Sequence, residues 1–85
     1  MGKSSQGNIR DLSNSYNALG EINIIKKDYQ KAIDCCSKGL ELAQEGSELD
    51  RSINNSECLA VAFEGAGNLK KALEYQRLNT ILRDS

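Results

Sequence analysis

Apolar residues recur along this chain at intervals of three and four, the spacing of one face of an α-helix, and the pattern is interrupted three times. Before the first interruption, Ile9, Leu12, Tyr16, Leu19 and Ile22 share a stripe, which predicts a helix from about Ile9 to Ile25 with Asn8 or Ser5 as its cap. Lys26-Lys27 close it, favourable for the helix dipole. Asp28 opens a second helix as N-cap. That helix runs to about Gln44, with Tyr29, Ala32, Ile33, Cys36, Leu40 and Ala43 facing inward. Gly39 inside it is costly against alanine and points to the close approach of another backbone. Gly46 then supplies a left-handed residue past the helix end, and Ser47 or Asp50 caps a third helix reaching Gly65. Its inward face is Leu49, Ile53, Ser56, Leu59, Ala60 and Phe63. Gly65-Ala66-Gly67-Asn68 is the last turn, with Asn68 as cap. In the fourth helix Leu69, Ala72, Leu73, Gln76 and Thr80 form one stripe, and Tyr75, Leu78 and Leu82 another. The expected fold class is all-α, with four helices on short turns packed as antiparallel neighbours.

The chain also repeats itself. Asp28-Tyr29-Gln30-Lys31-Ala32-Ile33-Asp34 and, forty positions on, Asn68-Leu69-Lys70-Lys71-Ala72-Leu73-Glu74 carry the same order of polar, apolar and small residues. A period of this size marks a repeat architecture. Gly20 precedes Ala32 by twelve residues, and Ala60 precedes Ala72 by the same interval. In each unit these small residues are expected to face each other where two helices cross, since a larger side chain would push the axes apart.

These spacings resemble the tetratricopeptide repeat, whose pattern is aromatic-x2-Leu-Gly-x2-Tyr, then Ala-x3-Phe, then Pro. The first unit offers Tyr16-x2-Leu19-Gly20-x2-Asn23 and Ala32-x3-Cys36. The second offers Ser56-x2-Leu59-Ala60-x2-Phe63 and Ala72-x3-Gln76. The period of forty exceeds the usual 34, and Gln44 and Asp84 stand where the family has proline. Both departures are similar to the lengthened repeats of bacterial sensor and regulator proteins and of some eukaryotic polarity scaffolds. The polar stretch 1–8 is expected to be a disordered leader, and the resemblance implies one repeat at 9–46 and another at 47–85. It sets Tyr16, Leu19, Gly20, Tyr29, Ala32, Leu59, Ala60, Phe63 and Ala72 in the packing between helices.

Such repeats work by the surface they present, so the implied function is non-catalytic binding of a peptide or helical segment of a protein partner. The first helix of each unit would line a concave groove, with Asn14, Asn17, Glu21 and Ile24 from one unit and Asn54, Glu57, Val61 and Glu64 from the other. Lysine and arginine are missing from these positions, which disfavours capture of a terminal carboxylate. The glutamates favour a basic or amphipathic segment instead. The second implied reading is an oligomerisation or linker segment of a bacterial sensor kinase or nucleotide cyclase. Leu78, Ile81 and Leu82 would then be exposed on the last helix, and helix pairs could exchange through the Glu45–Asp50 connection.

Composition narrows the chemistry. Eleven basic against twelve acidic residues in 85 leave a net charge of −1, without the basic excess of a nucleic-acid surface. Histidine is absent, which removes the commonest general base and metal ligand. With no phosphate loop or nucleophile elbow either, no enzyme activity, cofactor or metal is expected. No apolar run approaches the ~20 residues of a membrane span. Three cysteines, Cys35, Cys36 and Cys58, without a secretion signal suggest free thiols and a cytoplasmic location, with Cys36 and Cys58 as small core residues.

Overall fold

The computed structural model describes residues 2–84, with side chains from Arg10 onward. Four α-helices follow one another: α1 (Gly2–Ile25), α2 (Tyr29–Glu45), α3 (Leu49–Gly65) and α4 (Leu69–Arg83). Each packs on the next, and α1 also meets α3, so two hairpins lie side by side with α1 and α3 in one layer. The described residues include no strand. Helix α1 begins at Gly2, so the stretch expected as a leader is helical, and Ser5 and Asn8 lie inside the helix rather than capping it.

The three turns are built alike. Each places one residue in the left-handed region: Lys27 at φ 65°, Ser47 at 56° and Gly67 at 87°. That kink turns two amides back onto the carbonyls ending the preceding helix. Lys27 N–H donates to the Ile24 carbonyl and Asp28 N–H to Asn23; Ser47 and Glu48 pair with Gln44 and Ala43; Gly67 and Asn68 pair with Glu64 and Phe63. Helices end at 25, 45 and 65 and restart at 29, 49 and 69, so the backbone repeats every twenty residues while the side-chain pattern repeats every forty. The side chains of Asp28 and Asn68 accept from the amides of Lys31 and Lys71, as their capping role requires. Two expectations at the middle turn are corrected. Ser47, not Gly46, is the left-handed residue. The N-cap of α3 is Glu48, without a side-chain bond, in place of Ser47 or Asp50.

The core runs through the middle of the slab: Ala32, Cys36, Leu40 and Ala43 from α2, Cys58, Leu59, Ala60 and Ala62 from α3, and Ala72 from α4. Phe63 and Tyr75 stack with ring centroids 5.5 Å apart, closing the second hairpin. At Gly20 the crossing is tight. A methyl there would collide with Cys36 Sγ, lie 2.8 Å from Cys58 Sγ and reach 3.5 Å from the Ala32 carbonyl oxygen. Those two sulfurs are bonded: Cys36 and Cys58 form a disulfide across α2 and α3, with Cα atoms 6.2 Å apart. The expectation of three free thiols is therefore corrected. Cys35, turned about 100° away on the same helix, is the free cysteine.

The inward face of α1 is also corrected. Leu12, Leu19 and Ile22 are 47–48% exposed. Both neighbours of α1 lie on its other side, where Ser13, Asn17 and Gly20 are buried. That side carries a polar network. Ser13 Oγ donates to the Gly39 carbonyl at 2.8 Å, and Asn55 Nδ2 donates to Ser13 Oγ at 3.2 Å and to the Arg51 carbonyl at 2.8 Å. Asn17 Nδ2 reaches Asn55 Oδ1 at 3.5 Å. The close neighbour of Gly39 is thus the Asn55 carboxamide rather than another backbone. A second set lies between α3 and α4, where Asn79 Nδ2 donates to the Ile53 carbonyl at 2.9 Å and to Ser56 Oγ at 3.1 Å. Buried carboxamides and hydroxyls are stable in such places only when paired. On α4 the stripe of Leu69 and Leu73 is exposed, while Ala72 and Asn79 are buried.

Candidate groove between the leading helices

Helices α1 and α3 run side by side on one face of the slab and leave a groove of about 400 Å³ between them. It is lined by Glu21, Ile24 and Ile25 from the last turns of α1, and by Asn54, Glu57, Cys58 and Val61 from α3. The geometry follows from helical spacing. Residues 21, 24 and 25, like 54, 57, 58 and 61, differ by three and four, so each set forms one ridge. Because α1 and α3 both precede a crossing of small residues, they share a layer and present equivalent ridges to each other.

Of the residues expected in the groove, Glu21, Ile24, Asn54, Glu57 and Val61 converge on it. Asn14 and Glu64 are exposed, one or two turns away along the same ridges, and do not line it. Asn17 belongs to the core, 8% exposed and hydrogen-bonded to Asn55. Ile25 and Cys58 were not expected there. Ile25 follows Glu21 by four residues, and that interval was the available signal. Cys58 likewise follows Asn54 by four residues, and its bond to Cys36 holds it at the seam of α2 and α3, on the groove floor. Of the packing residues, Gly20, Ala32, Leu59, Ala60 and Ala72 are buried, Tyr16, Tyr29 and Phe63 are half-buried, and Leu19 is largely exposed.

The groove's chemistry is simple. Ile24, Ile25 and Val61 supply apolar contact area, Glu21 and Glu57 two carboxylates, and Asn54 a neutral donor and acceptor. No basic side chain lines it. A second hollow, about 330 Å³, lies on the far side of α3 and shares Glu57 and Val61 with the first. Those two residues therefore stand on the ridge between adjoining depressions. Among the described residues no group of three His, Cys, Asp or Glu side chains could hold a metal ion. No helix there is long and apolar enough to cross a membrane.

Compared with protein-family models, curated proteins and solved structures, the chain has no match.

Proposed function

We propose that the chain is a non-catalytic interaction module of the tetratricopeptide type, receiving a partner segment in the groove between α1 and α3. The observation that carries this reading is the convergence of Glu21, Ile24, Asn54, Glu57 and Val61, from two hairpins, on one hollow. An aliphatic floor between carboxylates suits an amphipathic peptide with basic residues flanking an apolar side chain. The apolar contact would supply affinity, and the charges would set encounter rate and orientation. With Cys36 and Cys58 bonded and Cys35 free, the thiols no longer point to a cytoplasmic location.

The test is a peptide array of basic-amphipathic, acidic-amphipathic and uncharged sequences, followed by stopped-flow binding of the strongest. Basic-amphipathic peptides should dominate. Glu57→Gln should slow association and flatten its salt dependence, while Val61→Asp should speed dissociation. Equal binding of acidic and basic peptides, or a Val61→Asp variant with unchanged affinity, would refute the assignment.

A further inference from the structure

The two ends of the slab carry apolar faces that match each other. On α1, Leu12, Leu19 and Ile22 are about half exposed and Ile25 is 80% exposed; on α4, Leu69 and Leu73 are 62% and 59% exposed. The forty-residue register says what each face is. Positions 12, 19, 22 and 25 of α1 correspond to Ser52, Leu59, Ala62 and Gly65 of α3; the first three are buried, and Gly65 lies against α2. Positions 69, 73, 76 and 80 of α4 correspond to Tyr29, Ile33, Cys36 and Leu40 of α2, the helix on which α3 packs. One face is thus the α3-like half of the α2–α3 joint, and the other is the α2-like half.

The correspondence extends to single contacts. The Tyr29 ring lies over Gly65, with its Cδ1 2.6 Å from where a methyl would stand. Forty residues away from these two are Leu69 and Ile25, two of the most exposed large apolar side chains among the described residues. A large–small pair has become two medium apolar residues, so both sides of the equivalent contact remain apolar. The bonded pair Cys36–Cys58 corresponds to Gln76 and Ala18, an amide opposite a methyl.

We infer that a second copy of this chain docks its α1 face on the α4 face of the first, reproducing the α2–α3 joint between molecules. The contact is head-to-tail, so each docked copy leaves the same two faces free and growth continues. Docking also completes a second trough. The ridge residues Glu64 of one copy and Asn14 of the next occupy the registers of Ile24 and Asn54, which line the existing groove. The two residues that stand outside the groove in one molecule thereby come to line its continuation.

The experiment uses two exposed substitutions in the 85-residue chain, Ile25→Lys and Leu69→Lys, with circular dichroism confirming that each variant stays helical. In sedimentation velocity from micromolar to millimolar protein, the unaltered chain should show a sedimentation coefficient that climbs with concentration without a plateau. Each variant alone should lose that climb, since one of its two faces is blocked. Mixing the variants should produce a 1:1 heterodimer and nothing larger, because one intact α4 face meets one intact α1 face. Ile22→Lys and Leu73→Lys, on the same two faces, should behave identically. A monomer at every concentration would overturn the inference. So would a mixture that stays monomeric, or self-association that survives all four substitutions.

Discussion

Reduction of the Cys36–Cys58 bond offers the most direct measurement of how the two hairpins are held together. The bond joins α2 to α3 and closes a loop of 22 residues that contains the middle turn. On the chain-entropy account, cross-linking a loop of that length removes roughly 3.4 kcal/mol of conformational freedom from the unfolded chain. For a domain of this size, that corresponds to a fall in Tm on the order of 20 °C when the bond is opened. The native side contributes in the same direction. Two separate thiol sulfurs need more room than a bonded pair, and α1 stands directly against both at Gly20. The assay is thermal unfolding followed by helical ellipticity, with and without a phosphine reductant, alongside thiol titration in denaturant. The oxidised protein should titrate one thiol, Cys35, and the reduced protein three. A double Cys36→Ser, Cys58→Ser variant should melt near the reduced protein and ignore reductant. Three titratable thiols before reduction, or coincident melting curves, would refute the reasoning.

Two further outcomes follow from the interior. Ala32 and Ala72 are 0% and 2% exposed at the helix crossings, so Ala32→Leu or Ala72→Leu should destabilise by about 1–3 kcal/mol, read as a lower denaturant midpoint; an unmoved midpoint would refute the crossing. Asn55 is fully buried and donates to Ser13 and to the Arg51 carbonyl, so Asn55→Ala should cost about 1–3 kcal/mol by leaving those partners without their donor, measured the same way.

The helices were legible because their signals are local. Asp28 and Asn68 announce caps, and the intervals from Gly20 to Ala32 and from Ala60 to Ala72 announce crossings. The inward stripe of α2 followed from Ala32, Cys36, Leu40 and Ala43, since a helix with neighbours on both sides buries the apolar residues it has. Helix α1 misled for the opposite reason. Leu12, Leu19 and Ile22 mark an amphipathic face, but amphipathicity does not say which neighbour is present to cover it. The buried face is instead Ser13, Asn17 and Gly20, admitted to the interior by hydrogen bonds to Gly39 and Asn55, which lie 26 and 38 residues from Ser13 and Asn17, respectively. The same limit applies to the disulfide, whose partners are adjacent only once α2 and α3 are packed. In the groove, spacing by three and four placed most of the ridge residues, yet it could not say that Asn17 turns toward α2 and α3 while Glu21 turns away.

The identical elbows at Lys27, Ser47 and Gly67 dictate how such a chain can grow or shrink. Each helix-plus-elbow reverses the direction of travel, so adding a single twenty-residue unit would deliver the chain to the opposite rim with the wrong face outward. Only an even number of units restores both heading and facing. A duplication or deletion inside the array therefore keeps the helices that follow it in their own layers only when it adds or removes two helices at a time.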